Sequence, residues 1–107
     1  MAVSADPQDK AQDFIDAIGY TGTVGYDLRI AQMQTLGLYV SDPRSAQETD
    51  RPFGEPAVFV MRDDGTLHIV DISNAPFARP ALASLRDGLS FIRRNDDPIR
   101  GTHVQAA

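Results

Sequence analysis

The stretch from Phe53 to Ser73, FGEPAVFVMRDDGTLHIVDIS, constrains the fold of this chain more than any other. Val58 to Met61 is apolar at every position, a pattern typical of a central strand that is covered on both faces. Asp63-Asp64-Gly65 is a tight-turn sequence in which Gly65 takes a positive φ. A second apolar run with interleaved polar residues follows the turn. We therefore expect a β-hairpin, with Pro56 placed directly before its first strand.

Helical periodicity predicts a first helix over residues 7–18, preceded by a short strand in the opening Ala-Val-Ser. Asp6 is expected to cap this helix and Pro7 to occupy its first turn. Gly19 is expected to close it. The inner side is predicted from apolar residues at helical spacing: Ala11, Phe14, Ile15 and Ile18.

Two further helices are predicted on either side of the hairpin. The earlier one is expected over residues 28–36, with Asp27 as its cap and Gly37 at its end. Its inner side is predicted to be Leu28, Ala31 and Leu36. The later one is expected over residues 80–94. Its apolar stripe is Leu82, Leu85, Leu89 and Ile92. Residues 42–51 are polar without periodicity, which indicates a loop or a marginal helical turn.

The predicted order of elements is β-α-β-α-β-β-α, which indicates an α/β fold with helices packed on one mixed sheet. A chain of 107 residues is expected to form a single domain over residues 1–107. The proline, glycine and small residues near the carboxyl end predict a flexible tail over residues 96–107.

Composition excludes several classes of function. A formal net charge of −5 disfavours nucleic acid as a partner, because neutralising phosphates requires clustered lysine and arginine. No apolar run reaches the roughly 20 residues of a membrane span, and no signal peptide is visible, so we expect a cytoplasmic protein. The cysteine count is zero, which excludes thiolate catalysis, disulfides and Cys-based zinc sites in this chain.

The remaining polar residues predict no catalytic, metal or cofactor site. His68 and His103 lie on different segments, without the spacing of metal ligands. Asp63 and Asp64 are expected to serve as solvated turn-forming residues and not as a carboxylate pair for acid–base chemistry or Mg²⁺. Ser4, His68 and Asp71 supply the residue types of a hydrolytic triad, but nothing around Ser4 is similar to a nucleophile elbow.

The chain resembles peroxiredoxin-like proteins of the alkyl hydroperoxide reductase and thiol-specific antioxidant family, which have a thioredoxin-like fold. AVSADPQDKAQDFIDAIG resembles the strand and helix that follow the family's active-site helix. DLRIAQMQTLGL, FGEPAVFVMRDDGTL and APFARPALASLRDGLSFIRRNDDPIRGTH resemble its next helix, its hairpin and its closing helix with tail. The resemblance implies an incomplete thioredoxin-like fold, namely the part that follows the cysteine-bearing strand and helix.

The resemblance implies thiol-dependent peroxide reduction and cell redox homeostasis as the family activity. That activity needs a cysteine in a Pro-x-x-x-Thr/Ser-x-x-Cys motif, and no position of this chain can supply it. Whether the chain is an enzyme therefore stays open. Conventional members place an arginine where this chain has Pro56, and proline in a comparable place is the thioredoxin pattern. By that likeness, Glu55 and Pro56 are expected to form a cis peptide bond at a vestigial site.

The resemblance also has a consequence for assembly. In a full thioredoxin-like sheet, the strand that leads into the active-site helix lies between the opening strand and the hairpin. Without that strand, both neighbours present unpaired N–H and C=O groups. Either the two strands close up on each other, or a partner fills the gap. We expect a partner: another copy, giving a dimer or higher oligomer, or the missing amino-terminal half. The alternative to a redox-family protein is a non-enzymatic interaction module that uses the exposed sheet edge.

Overall fold

A computed structural model describes residues 1–103, which form a mixed α/β structure with small sheets and three helices. The strands are β1 (Ala2–Val3), β2 (Val24–Gly25), β3 (Val40–Ser41), β4 (Phe53–Gly54), β5 (Ala57–Met61) and β6 (Leu67–Ile72). The helices are α1 (Gln8–Ile18), α2 (Ile30–Thr35) and α3 (Leu82–Asn95), with a 3₁₀ turn at Pro76–Ala78. The α/β class is confirmed.

Within residues 1–103 the strands pair as three two-stranded sheets, where one mixed sheet was expected. β1 and β2 are parallel and are connected through α1, so they form a β-α-β unit. β5 and β6 are antiparallel, as the predicted hairpin requires. β3 and β4 form an additional antiparallel pair, and the polar segment 42–51 lies in the connection between them.

The bounds of α1 agree with the prediction, while its amino-terminal cap does not. Gly19 ends the helix with φ 70° and donates its N–H to the Ile15 carbonyl at 2.9 Å. Pro7, and not Asp6, is the N-cap residue. The Asp6 amide donates to the Ser4 hydroxyl at 3.1 Å, so Ser4 and Asp6 stabilise the bend that precedes the helix.

The expected cap and inner side of α2 are wrong. Asp27 lies outside the helix with φ 55°, and the first turn is closed by the Gln32 amide oxygen, which accepts the Arg29 N–H at 2.9 Å. Ala31 and Leu36 are exposed, and Met33 is the buried residue of the helix. Helix α2 has only six residues, fewer than two turns, and it presents a single residue to the interior. The flexible thioether of Met33 occupies that position.

Helix α3 carries its apolar stripe at the predicted spacing, but the stripe is only partly covered. Leu85, Leu89 and Ile92 are half-buried, and Leu82 is exposed. The helix ends where Asp96 takes φ 48° and donates its N–H to the Ile92 carbonyl. Residues 96–103 of the predicted tail have neither helix nor strand, and the rest of that prediction, residues 104–107, lies outside the described residues.

The chain divides into two units, Met1–Glu55 and Pro56–Ala107. Among the described residues, only Ala11 and Met33 are buried, and both belong to the first unit. Met33 packs against β4, where a Cβ at Gly54 would come within 3.1 Å of its sulfur, so a side chain there would require the Met33 thioether to shift. None of the helices in residues 1–103 has the length and apolar character that a membrane span requires.

Candidate functional site

The Glu55–Pro56 bond, where the sequence predicts a cis peptide, is trans, since residues 1–103 contain no cis peptide bond. The expected cis geometry is therefore wrong, and Pro56 has a different role. Its carbonyl accepts the Ser73 N–H at 3.0 Å and the Ser73 hydroxyl at 3.3 Å. Because proline has no N–H to return to Ser73, the ladder between the two hairpin strands ends at this residue.

Glu55 belongs to the first unit, where it extends the β3–β4 pair. Its N–H donates to the Tyr39 carbonyl at 2.8 Å, and its carboxylate accepts the Ser41 hydroxyl at 2.8 Å. Both partners lie on or beside β3, so the Glu55 side chain fixes the end of that sheet. This half-buried arrangement is structural, and it gives the carboxylate no reactive neighbour.

The hydrogen bonds of the hairpin show which backbone groups of β5 are left open. Pro56 pairs with Ser73 and Arg62 with Thr66 through N–H···O bonds, and the register between them is Val58↔Asp71 and Val60↔Ile69. Antiparallel ladders alternate between bonded and non-bonded pairs, so these even-numbered residues point their backbone groups at β6. The N–H and C=O groups of Ala57, Phe59 and Met61 therefore point away from β6, along an edge with no strand beside it in residues 1–103.

The two hairpin strands differ in how their outer edges are protected. β6 contains His68 as an extra residue in a bulge opposite the Val60–Met61 step, and it carries the charge of Asp71. Bulges and charges are the usual means of keeping an edge strand from pairing with another chain. β5 has the sequence Ala-Val-Phe-Val-Met and contains neither device. The edge of β5 therefore carries neither of these protections.

The accessible surface of the protein is large for a chain of this mass, and it includes many large apolar side chains. The chain exposes 8486 Å², whereas two separate compact bodies of half its mass would together expose about 7,100 Å². No side chain of residues 56–103 is buried, although β5 is the most apolar strand of the chain. The exposed large apolar residues of this second unit include Met61, Leu67, Val70, Phe77, Leu82 and Phe91.

The first unit has an apolar groove of about 340 Å³ between α1 and the β1–β2 pair. Phe14 and Ile18 line it from the helix and are 63% and 58% exposed, although the sequence predicts them on the inner side. Val3 and Val24 line it from the strands. Of the four residues predicted on the inner side of α1, Ala11 is buried and Ile15 half-buried, whereas the prediction is wrong for Phe14 and Ile18, which the first unit leaves uncovered.

Asp64, one of the two carboxylates considered for acid–base chemistry, has a structural role in the hairpin turn. Asp64 accepts the Thr66 N–H at 3.0 Å and the Thr66 hydroxyl at 2.6 Å, which closes the hairpin turn. The Thr66 hydroxyl bond, and then its amide, hold the pKa of the Asp64 carboxyl below its ordinary value. Gly65 follows with φ 86°, as predicted. Within the described part of the chain, no cluster of three His, Asp or Glu side chains could hold a metal ion.

An ion-pair cluster that sequence reasoning did not identify connects segment 42–51 with α1. Arg51 binds both carboxylate oxygens of Asp50 at 2.9 Å, and the Lys10 ammonium lies 3.4 Å from one of them. The Arg51 guanidinium, with Lys10 adding to it, holds the pKa of Asp50 well below its usual range. The polar character of the segment indicated a loop, and only the folded structure brings Lys10 to its end.

A scan against protein-family models, a search of curated proteins and a search of solved structures each found no match to this chain.

Proposed function

We propose that this chain is a non-enzymatic interaction module that derives from the peroxiredoxin-like redox family and acts by associating with another polypeptide, in the simplest case a copy of itself. The observation that carries the proposal is the lack of a covered core in the second unit, where β5 and β6 form a two-stranded sheet without a buried side chain. A lone hairpin is at best marginally stable in water, and stability requires a third strand or a covering layer.

The amount of exposed surface is consistent with this role. The accessible area of 8486 Å² exceeds that of two compact bodies by about 1,400 Å² per chain. Association of two chains that removed this excess would bury about 2,800 Å² in total, which lies within the range for obligate homodimers. The apolar part of that area would favour assembly at about 25 cal/mol per Å².

The family part of the proposal is supported by the ordered resemblance of four segments to peroxiredoxin-like proteins. The absence of cysteine from the sequence removes the thiolate on which the family reaction depends. We therefore expect this chain to consume no hydrogen peroxide or alkyl hydroperoxide above the buffer rate when a dithiol reductant is supplied. A thiol peroxidase assayed in parallel is the positive control, and turnover by this chain would refute the non-enzymatic assignment.

Association is tested by sedimentation velocity or size exclusion with light scattering over a micromolar concentration series. The proposal predicts a mass of at least two chains at the upper concentrations. A folded species with the mass of one chain across the whole series would refute it. Circular dichroism on the same samples verifies that a monomer, if found, is folded and not a denatured chain.

A second candidate partner is a polypeptide segment that supplies the family's cysteine-bearing strand and helix. The observation in its favour is that β1 and β5, between which that strand would lie, each pair on one side only within residues 1–103. The test is to mix this chain with a fragment that contains the Pro-x-x-x-Thr/Ser-x-x-Cys strand and helix of a peroxiredoxin. Formation of a one-to-one complex at the expense of the homo-oligomer would favour this candidate over self-association.

A further inference from the structure

We infer that strand β5 is the element through which two copies of this chain associate, by antiparallel pairing of β5 with β5 of the second copy about a two-fold axis at Phe59. The inference rests on the proposed function, because it names the surface and the occupant of the association. It would join two β5–β6 hairpins into one four-stranded sheet, which passes the three-strand minimum for a stable sheet.

The parity of the open backbone groups selects this register. Only odd-numbered residues of β5 point their N–H and C=O groups outward, so a bonded antiparallel pair must join two odd-numbered positions. A two-fold axis at Phe59 pairs Phe59 with Phe59 of the second copy, and Ala57 with Met61. Every outward N–H and C=O group of the five-residue strand then has a hydrogen-bond partner on the second copy. No outward-pointing residue lies opposite a residue whose backbone groups point at β6.

The side chains of β5 are self-complementary in the same register. Phe59 lies opposite its symmetry mate, and cross-strand aromatic pairs are among the stabilising pairs of antiparallel sheets. Val58 lies opposite Val60, and the small Ala57 lies opposite the long Met61. No residue of β5 carries a charge, so two copies meet without opposing like charges. The register thus satisfies side chains and backbone together.

The distribution of charge also favours a second copy at this edge. Residues 1–55 contain nine acidic and four basic side chains, so they account for the whole net charge of −5. From Pro56 onward the chain has six acidic and six basic side chains. The unit that contains β5 is therefore neutral overall, so pairing of two second units brings together no like net charges of that unit.

The open edge of β6 is a poorer contact for the same purpose. The bulge at His68 interrupts its run of evenly spaced groups, and a register that centres on Asp71 would place two carboxylates opposite each other. Neither obstacle exists on β5. The two edges of one hairpin thus differ in their capacity for homotypic pairing, and the difference can be measured residue by residue.

Amide hydrogen exchange followed by NMR provides the test, because adjacent residues of β5 serve as each other's controls. At concentrations where the chain is associated, the amides of Phe59 and Met61 should exchange at least about tenfold more slowly than after dilution to the monomer. The amides of Val58 and Val60, which point at β6, should stay protected at both concentrations as long as the hairpin is folded. Their protection shows that dilution has not unfolded the strand.

A charge substitution tests the same contact in the intact chain. Phe59→Lys places two ammonium groups directly opposite each other at the two-fold axis, and we expect it to weaken association at least about tenfold. Val70→Lys is the matched control, since Val70 pairs with Phe59 across the hairpin on the same face but lies one strand away from the axis. It should leave the association constant within about threefold of the wild-type value.

Each other result overturns the inference. An oligomer in which Phe59 and Met61 exchange rapidly, or in which both lysine variants associate as the wild type does, would place the contact on another surface and leave the proposed function standing. A monomer in which these two amides are protected would show that a strand of the same chain covers the edge. A monomer with rapid exchange at both would refute the inference and the proposed self-association together.

Discussion

Met33→Ala should destabilise the first unit more than any comparable truncation within it. Met33 is 1% exposed and is the largest fully buried side chain among residues 1–103. It lies between α2 and the β3–β4 pair, with its sulfur close to Gly54 and with Leu38 beside it. Since Ala11 is the only other buried residue of residues 1–55, no second cluster can compensate for its loss.

The expected cost follows from the atoms that are removed. Truncation of a buried Met to Ala costs about 2–5 kcal/mol, depending on how far the surroundings collapse into the space. α2 has six residues and the facing strands have two each, so this part of the unit can relax more easily than a large core. We therefore expect a loss of about 2–3 kcal/mol, in the lower part of that range. The matched control is Leu36→Ala, at the end of the same helix and 47% exposed, with an expected loss below about 1 kcal/mol.

Tyrosine fluorescence makes the measurement specific to this unit. The three tyrosines of the chain, Tyr20, Tyr26 and Tyr39, all lie in the first unit, and the chain has no tryptophan. Urea unfolding followed at the tyrosine emission thus gives the free energy of unfolding of residues 1–55, provided that both variants are compared at one protein concentration. Equal losses for Met33→Ala and Leu36→Ala would refute the assignment of Met33 as the centre of the core.

Two further predictions concern charge and turns. The contribution of Asp50 to stability should be fully present above the ordinary carboxylate pKa of about 4, and it should be lost as pH falls toward the depressed pKa of the folded state. Asp50→Asn should therefore reduce the fall of the urea unfolding midpoint at acidic pH. An unchanged fall would contradict the ion-pair cluster. Gly65→Ala should destabilise the protein by about 1 kcal/mol because Gly65 has φ 86°. Gly88→Ala, inside α3 with open space around it, should stabilise the protein by about 0.5–1 kcal/mol. Both changes are measured as urea unfolding midpoints by circular dichroism, and changes of the same sign would refute this distinction.

The sequence predicts the local features of this protein better than its packing. The hairpin, its turn at Gly65 and the end of α1 at Gly19 are confirmed, because each depends on a residue whose backbone preference acts within a few positions. The cap at Asp27 and the inner side of α2 are wrong. In that segment the buried Met33 decides which side of the helix faces inward, and its partner, the β3–β4 pair, has little sequence signal at two residues per strand. The cap is local: the Gln32 side chain accepts the Arg29 N–H, and Asp27 lies outside the helix.

The candidate site shows the same division. The sequence identifies β5 as a strand that should be covered, but not which of its edges is open, because that requires the register against β6. The exposure of Phe14 and Ile18 has a similar origin: periodicity assigns both to an apolar side of α1, and it cannot state whether the chain itself supplies a layer over that side. The Asp50 cluster depends on Lys10, forty positions away, and no local pattern indicates it.

The position of Pro56 in the hairpin determines which backbone donor the proline removes. Residues of β5 alternate between pointing at β6 and pointing outward, and position 56 points at β6. The missing N–H of Pro56 therefore ends the β5–β6 ladder and takes nothing from the outer edge. A proline one residue later, at Ala57, would remove an outward donor and protect that edge against other chains. Pro56 therefore ends the internal ladder and leaves every outward donor of β5 intact, which is what the proposed β5–β5 pairing requires.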